Sequence, residues 1–227
     1  MNRLVLFDID GTLVRGGPAK GAFELGMETV FGTAGPIGEY DFSGKTDPQI
    51  ARELLKETGK TDPEIDAGLD DLWEAYLGEL GRRLPGHPMT VLPGVRPLLE
   101  HLEEREDVAL GLLTGNIIRG ARLKLNSVDL MGFFPIGGYG SDGEAREDLP
   151  PVAMRRAATN WGKTFPASSV VVVGDTPRDV ECGKYSGTQT VAVATGRFDV
   201  ATLEATGADR VLGDLGDLAG SVDALLS

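Results

Sequence analysis

The residues best suited to chemistry stand at the end of a short apolar run near the start of the chain. Residues 4–7 read Leu-Val-Leu-Phe, and such a run predicts a strand buried on both faces. Two carboxylates, Asp8 and Asp10, follow directly, and Gly11 permits a sharp turn after them. Open α/β sheets bind their ligands at the carboxyl ends of their strands. The spacing therefore predicts that both carboxylates face a ligand.

A second apolar run, residues 108–113, also leads into polar groups. Thr114, Gly115 and Asn116 follow it, at the point where a helix is predicted to begin. A hydroxyl together with free backbone N–H groups at the start of a helix can bind a phosphate group. We therefore expect these three residues to form a phosphate site.

A third run ends in carboxylates again. Four valines at 170–173 are followed by Gly174 and then by Asp175 and Asp179. Because parallel strands end at the same edge of their sheet, we expect these two carboxylates to lie beside those of Asp8 and Asp10.

The elements that must position these groups alternate in type along most of the chain. The predicted strands are 4–7, 108–113, 136–139, 169–173 and 190–194, and the predicted helices between and after them are 97–106, 117–128, 150–161, 177–186 and 215–225. Such alternation is typical of a parallel sheet wrapped by helices on both faces. The fold class predicted from the pattern is therefore α/β.

About 100 residues separate the first predicted strand from the second, whereas a parallel crossover needs only ~30. The extra residues carry helical patterns at 19–31, 49–58 and 62–84. We predict an inserted helical cap at 15–86, and a catalytic core formed by 1–14 and 87–227, with Gly/Pro-rich boundaries on both sides. A cap inserted after the acidic turn would cover that turn and exclude water from it.

Composition limits the class of protein. A chain of 227 residues buries roughly 70 % of its unfolded surface, enough for one domain with an insert. The formal charge of −13 argues against nucleic-acid binding, which favours a basic surface, and no apolar stretch approaches the ~20 residues of a membrane span. With Cys182 as its single cysteine, no internal disulfide is possible, so we expect a cytoplasmic location.

Taken together, these features resemble the haloacid dehalogenase-like hydrolase superfamily, in the branch of the phosphoglycolate phosphatases and β-phosphoglucomutases. The motifs that carry the resemblance are Asp8-Ile-Asp10-Gly-Thr12, Thr114-Gly-Asn116 and Gly174-Asp175-Thr-Pro-Arg-Asp179. The resemblance covers the whole chain. It implies a Rossmann-like parallel sheet with the strand order 5-4-1-2-3, and magnesium-dependent phosphate chemistry.

The resemblance also implies a role for each motif residue. Asp8 would be the nucleophile that becomes an aspartyl-phosphate, and Asp10 the general acid–base. Thr114, Gly115 and Asn116 would hold the phosphoryl group, and Mg²⁺ would be bound by Asp8, Asp10, Asp175 and Asp179. Electrostatics agrees with a metal, because two like charges ~4 Å apart repel by ~4 kcal/mol at an effective dielectric constant of 20.

One motif of the family departs from its usual form. The family places a lysine shortly before a proline that starts a helix, and residues 141–149 contain no lysine. Arg146, four residues before Pro150, is the predicted replacement, as a catalytic and phosphate-binding residue that reaches Asp8 with its planar guanidinium. The alternative is an ordinary surface arginine. In the cap, Lys45 is predicted to contact the substrate, and its alternative is a solvated loop lysine.

We expect from this resemblance a phosphoric monoester hydrolase, namely a magnesium-dependent phosphatase acting on a small phosphorylated metabolite similar to phosphoglycolate. It would work as a monomer or homodimer, without nucleic-acid or membrane partners. Two alternatives stay open. A phosphosugar mutase of the β-phosphoglucomutase type shares these motifs, and a phospho-accepting signalling or binding protein also uses an aspartate, a threonine and magnesium at strand ends.

Overall fold

A parallel six-stranded sheet forms the centre of the protein in a computed structural model, which describes residues 2–227. The strands are β1 (Arg3–Phe7), β2 (Val14–Gly16), β3 (Met89–Val91), β4 (Val108–Thr114), β5 (Ile136–Tyr139), β6 (Val170–Gly174), β7 (Gln189–Val193) and β8 (Arg210–Leu212). β2 and β3 form a separate antiparallel pair, and the other strands make up the large sheet. The α/β fold expected from the alternation is confirmed.

Helices flank this sheet and fill the insertion after β2. They are α1 (Ala19–Phe31), α2 (Asp47–Glu57), α3 (Asp62–Arg83), α4 (Val95–Glu103), α5 (Ile118–Asn126), α6 (Leu149–Trp161), α7 (Pro177–Tyr185), α8 (Val200–Ala205) and α9 (Leu218–Leu226). Within residues 2–227, no helix combines the length with the apolar character that spanning a bilayer requires.

The strand order of the large sheet is β5-β4-β1-β6-β7-β8. Counted along the chain as core strands, and written from the β8 edge, this is 6-5-4-1-2-3, so the expected order 5-4-1-2-3 lacks one edge strand. That strand, β8, has only three residues, and none of them is fully buried. Such a short segment has no clear pattern in the sequence. It is anchored by Asp209, whose carboxylate accepts hydrogen bonds from the N–H of Thr190 at 2.8 Å and from its hydroxyl at 2.9 Å.

β1 lies at the centre of the sheet, between β4 and β6. Leu4 and Leu6 belong to one apolar cluster, whereas Val5 and Phe7 belong to another, and all four side chains are fully buried. Complete burial of such a side chain contributes about 1.5–3 kcal/mol. This explains the continuous apolar run, and it holds the end of β1 in a fixed position.

The chain passes between the core and the insertion at the β2–β3 ribbon. Val14 pairs with Val91, and Gly16 with Met89, so the two crossings of the chain lie side by side. The predicted domain limits, 1–14 and 87–227 for the core and 15–86 for the cap, fall close to this ribbon and stay a prediction.

In the insertion, α1 and α3 pack on each other through aromatic rings. Phe23 makes an edge-to-face contact with Tyr76, with 5.2 Å between the ring centroids, and a tilted contact with Trp73 at 6.2 Å. α2 begins at Asp47, with Thr46 as its N-cap, because the Thr46 hydroxyl accepts a hydrogen bond from the N–H of Gln49 at 3.2 Å. The Asp47 carboxylate is thereby left to contact the core.

Candidate active site

The turn after β1 places Asp8 and Asp10 at the carboxyl edge of the sheet. Asp8 extends the strand, because its N–H donates to the carbonyl of Val173 at 2.8 Å, and its side chain is buried. Gly11 adopts φ +90°, and a Cβ there would lie 2.3 Å from Oδ2 of Asp175. The glycine therefore provides both the turn and the space for the carboxylate from β6.

Three buried carboxylates meet at this edge, as the strand ends predict. One oxygen from each of Asp8, Asp175 and Asp179 lies within 4.8 Å of the others. Burial raises the pKa of Asp8 to about 7, and the charges of Asp179 and Asp10 add to the rise. Burial likewise raises the pKa of Asp175 to about 8, with Asp179 and Asp8 contributing. Hard carboxylate oxygens crowded in this way fit a divalent cation such as Mg²⁺.

The fourth predicted metal ligand, Asp10, is not part of this group of three among residues 2–227. Its Oδ2 accepts a hydrogen bond from Asn116 at 2.7 Å, and the ammonium of Lys124 lies 2.6 Å from the same atom. Asp179 is in the group, but its Oδ2 also accepts the N–H of Thr176 at 3.0 Å as part of a capping box. The metal-ligand roles of these aspartates stay a prediction.

Arg146 lies between two of the carboxylates. Its Nη2 is 3.1 Å from Oδ1 of Asp8 and also donates to Oδ1 of Asp179. Burial lowers the pKa of Arg146, but the charges of Asp179 and Asp8 outweigh that effect and raise it, so the guanidinium stays charged. The residue is 5 % exposed, so it is not an ordinary surface arginine. Its catalytic role stays a prediction.

The predicted phosphate site is assembled beside Asp10. The Thr114 hydroxyl accepts hydrogen bonds from the backbone N–H of Asn116 at 3.3 Å and from its side-chain amide at 2.8 Å. Gly115 is needed for close packing, because a Cβ there would lie 2.1 Å from the carbonyl oxygen of Lys45. Thr114, Gly115 and Asn116 thus form a tight loop packed against Lys45, in which the backbone N–H of Asn116 is already engaged, and their phosphate-binding role stays a prediction.

Lys124 was not found from the sequence. It lies on the buried face of α5 together with Gly120, Ala121 and Leu125, and its ammonium reaches Asp10. The available signal was its helical spacing, which puts a lysine on the apolar face of an amphipathic helix. A lysine within a helix does not stand out as a motif, however, in the way that a strand end does.

Asp47 is a second residue near the site that the sequence pattern does not identify. Its Oδ2 accepts a hydrogen bond from the N–H of Ile117 at 2.8 Å, and its own N–H donates to the carbonyl of Gly115 at 2.8 Å. Burial raises the pKa of Asp47 to about 6, with a contribution from Asp10, while Lys124 opposes the rise. The start of α2 is thus hydrogen-bonded directly to the phosphate-site loop.

A cavity of about 370 Å³ opens between the cap helices and this edge of the sheet. Its acidic lining residues are Asp8, Asp10, Asp47 and Asp175, and its basic ones are Lys20, Lys45, Lys124, Arg146 and Arg197. Lys45 is 2.5 Å from the Glu53 carboxylate and 2.8 Å from the Tyr40 hydroxyl, with 12 % of its side chain exposed. It is therefore not a solvated loop lysine, and its contact with substrate stays a prediction.

Comparison with known proteins agrees with this geometry. A sequence profile of the haloacid dehalogenase-like hydrolases matches residues 2–187. The chain belongs to this family. A phosphoglycolate phosphatase from Synechococcus elongatus is 29 % identical over 224 residues, which cover 98 % of each protein. The expected family and the expectation of a hydrolase are confirmed.

Solved structures of the family share the fold. A hydrolase from Pseudomonas syringae has a TM-score of 0.75 at 25 % identity, with both chains covered in full. A candidate β-phosphoglucomutase from Bacteroides vulgatus has a TM-score of 0.68 at 22 % identity, over 98 % of this chain and 88 % of the other. The fold expected from the motifs is therefore shared with these solved proteins.

Proposed function

We propose that this hydrolase is a cytoplasmic, magnesium-dependent phosphatase that acts on a small phosphate monoester through an aspartyl-phosphate at Asp8. The observation that carries the proposal is the contact of the buried Asp8 carboxylate with Arg146, 3.1 Å away, at the carboxyl end of β1. Phosphoryl transfer depends on positioning and on neutralising charge, and an aspartate beside a fixed guanidinium supplies both.

In the first step, a carboxylate oxygen of Asp8 attacks phosphorus while the ester oxygen leaves. Arg146 holds Asp8 in place and offers its charge to the transferring group. Asp10, two residues further along the turn, gives a proton to the leaving oxygen. Thr114, Gly115 and Asn116 are the proposed phosphate residues, and the phosphoryl oxygens would take over backbone N–H groups that Asn116 and Ile117 now donate to Thr114 and Asp47.

In the second step, water attacks the phosphoaspartate and releases inorganic phosphate. Asp10, now ionised, takes a proton from that water, and the bond between phosphorus and Asp8 breaks. Splitting the reaction in two lets one carboxylate serve first as acid and then as base. The cap helices keep other water away from the intermediate.

Asp8 and Asp175, with Asp179 beside them, are the residues that would hold Mg²⁺. A bound Mg²⁺ would neutralise the charge that these carboxylates and the phosphate group bring together. The raised pKa values of Asp8 and Asp175 support this assignment, because they reflect buried carboxylates with too little compensating charge.

The proposed substrate is similar to phosphoglycolate. Two observations support this: the relative from Synechococcus elongatus is a phosphoglycolate phosphatase, and the cavity is lined by Lys20, Lys45 and Arg197 in addition to the cations that contact Asp8 and Asp10. A small anionic leaving group suits a compact cavity that has these three additional cations in its lining.

The experiment that tests the proposal also separates a phosphatase from a phosphosugar mutase. The purified protein is incubated with Mg²⁺ and either 2-phosphoglycolate or glucose 1-phosphate, with and without a sugar bisphosphate. We expect phosphate release from 2-phosphoglycolate without any bisphosphate. Conversion of glucose 1-phosphate into glucose 6-phosphate with little free phosphate would instead identify a mutase. No reaction with any ester would favour a binding or signalling protein.

A further inference from the structure

Lys124 is a buried lysine to which the reaction as proposed assigns no task. Only 5 % of its side chain is exposed, and its Nζ lies 2.6 Å from Oδ2 of Asp10. Burying an ammonium group costs free energy unless a counter-charge and hydrogen bonds compensate. The neighbours of Lys124 on the same face of α5 are small or apolar. Lys124 thus places a positive charge where an apolar side chain would be expected, and that charge is paired with Asp10, the proposed acid–base.

Asp10 receives a second donor at the same oxygen. The side-chain amide of Asn116 is 2.7 Å from Oδ2 of Asp10 and 2.8 Å from the hydroxyl of Thr114. The two donors come from different elements, the loop after β4 and the helix α5. Because the Asp10 side chain is 45 % exposed, packing alone leaves it free to rotate, and the two hydrogen bonds restrict it to one orientation.

We propose that Lys124 is a positioning residue that, together with Asn116, holds the Asp10 carboxyl group for proton transfer to and from the reacting oxygen. This inference rests on the proposed phosphatase reaction. Since both donors bind Oδ2, the proton that is transferred is carried by Oδ1. The orientation of Oδ1 is then set before the substrate binds, which is the usual requirement for efficient general acid catalysis.

The proton and electron balance of both steps follows from this arrangement. As a carboxylate oxygen of Asp8 bonds to phosphorus, the ester P–O bond breaks and its electron pair goes to the leaving oxygen, which takes the proton from Oδ1 of Asp10. In the second step, Oδ1 takes a proton from the attacking water. The bond between phosphorus and Asp8 then breaks, and its electron pair returns to the carboxylate.

The roles proposed for Lys45 and Lys124 differ in how the loss of activity should depend on the leaving group. Lys45 is expected to contact a negative charge on the leaving group, so it matters only for anionic substrates. Lys124 acts through Asp10, so it matters for every leaving group that needs a proton, whether charged or not. Three esters separate these cases: 2-phosphoglycolate is anionic and needs a proton, glycerol phosphate is uncharged in its leaving group and needs one, and p-nitrophenyl phosphate is uncharged and needs none.

The test measures kcat/KM for these three esters, with Mg²⁺, in the wild type and in Lys124→Met, which keeps the length of the side chain and removes its charge. We expect a loss of about 10²-fold with both 2-phosphoglycolate and glycerol phosphate, and little change with p-nitrophenyl phosphate. Lys45→Ala should lose activity with 2-phosphoglycolate alone. Lys184→Met, which removes an exposed lysine of α7, serves as the matched control and should equal the wild type with all three.

Thermal unfolding and competitive inhibition by inorganic phosphate show whether the variant is folded and still binds the phosphoryl group. If Lys124→Met does not fold, Lys124→Gln replaces it in the same assay. An equal loss with all three esters would overturn the inference in favour of a structural role. A loss confined to 2-phosphoglycolate would also overturn it, because Lys124 would then bind the substrate's charge. A wild type that cleaves none of the esters would instead overturn the proposed function itself.

Discussion

Arg146 meets two buried carboxylates, Asp8 and Asp179, with one guanidinium. Nη2 contacts both carboxylates, as an ammonium group could also do, but the branched guanidinium in addition lets Nη1 donate to the carbonyl of Gly44 at 3.1 Å. The arginine therefore does more than replace the lysine that the family usually has. Through this one side chain the arginine connects the end of β1, helix α7 and the loop that contains Gly44.

Arg146→Lys should retain the positive charge but lose the contact with Gly44, and its shorter side chain should no longer reach both carboxylates. We expect kcat/KM to fall by ~10²-fold or more, the usual effect of losing a donor to a developing charge, and the free energy of unfolding to fall by about 3 kcal/mol, since a buried carboxylate loses its partner. Steady-state kinetics and urea unfolding measure the two effects. Arg156→Lys, at a partly exposed pair with Asp142, is the control, and wild-type behaviour of Arg146→Lys would contradict the assignment.

At the scale of the elements, the cap is attached to the core by the segment just before and at the start of α2. Thr46 donates its hydroxyl hydrogen to the carbonyl of Glu144 at 2.7 Å, and Asp47 exchanges hydrogen bonds with Gly115 and Ile117. The same segment contributes Lys45 to the cavity. The start of α2 and the loop after β4 are therefore held together by a few hydrogen bonds.

Asp47→Asn tests the electrostatic cost of this attachment. Burial raises the pKa of Asp47 to about 6 from its ordinary value of 3.8, so its ionisation lowers stability progressively as the pH rises from near 4 to above 6. The asparagine can still accept the N–H of Ile117. We expect the variant to be more stable than the wild type, and its advantage to grow by about 1 kcal/mol between pH 5 and pH 7.5.

Urea unfolding at the two pH values measures this difference. Asp70→Asn, at an exposed position on α3, is the control for the effect of the substitution itself. An Asp47→Asn variant that is less stable at pH 7.5 than the wild type would mean that the charge of Asp47 stabilises the attachment.

The same elements explain what could be predicted from the sequence. Burial on both faces leaves a continuous apolar run, so β1, β4 and β6 were visible, and so were the carboxylates that end β1 and β6. β8 and α8 are too short to leave a periodic pattern. Lys124 and Asp47 could not be assigned from the chain, because their roles depend on which helix faces the turn after β1, and that is a property of packing.

For the molecule as a whole, the unequal distribution of charge matters more than its sum. The chain carries a formal charge of −13. Most of its acids are spread over the surface, but Asp8, Asp175 and Asp179 are buried together at the end of the sheet. We propose that a divalent cation joins this group when substrate binds, because Arg146 alone does not balance three carboxylates and a phosphate group. The proposed metal dependence is thus an expected consequence of the electrostatics of this group.

Excess chelator should therefore stop phosphate release, and added Mg²⁺ should restore it. Because a ligand that binds only the folded state stabilises it, Mg²⁺ at 100 times its Kd should also raise the free energy of unfolding by about 2.7 kcal/mol. Asp175→Ala should weaken Mg²⁺ binding in titration calorimetry, while Asp223→Ala, an exposed site on α9, should not. Full activity of a metal-free preparation would contradict the charge argument.

The central claim is that Asp8 carries the phosphoryl group during turnover. The enzyme is mixed with Mg²⁺ and excess 2-phosphoglycolate, the reaction is stopped in acid, and the peptides are mapped by mass spectrometry. We predict a phosphoryl group on the peptide that contains Asp8, and neither this adduct nor phosphate release from a folded Asp8→Asn variant. Phosphate release by Asp8→Asn at the wild-type rate would contradict the account.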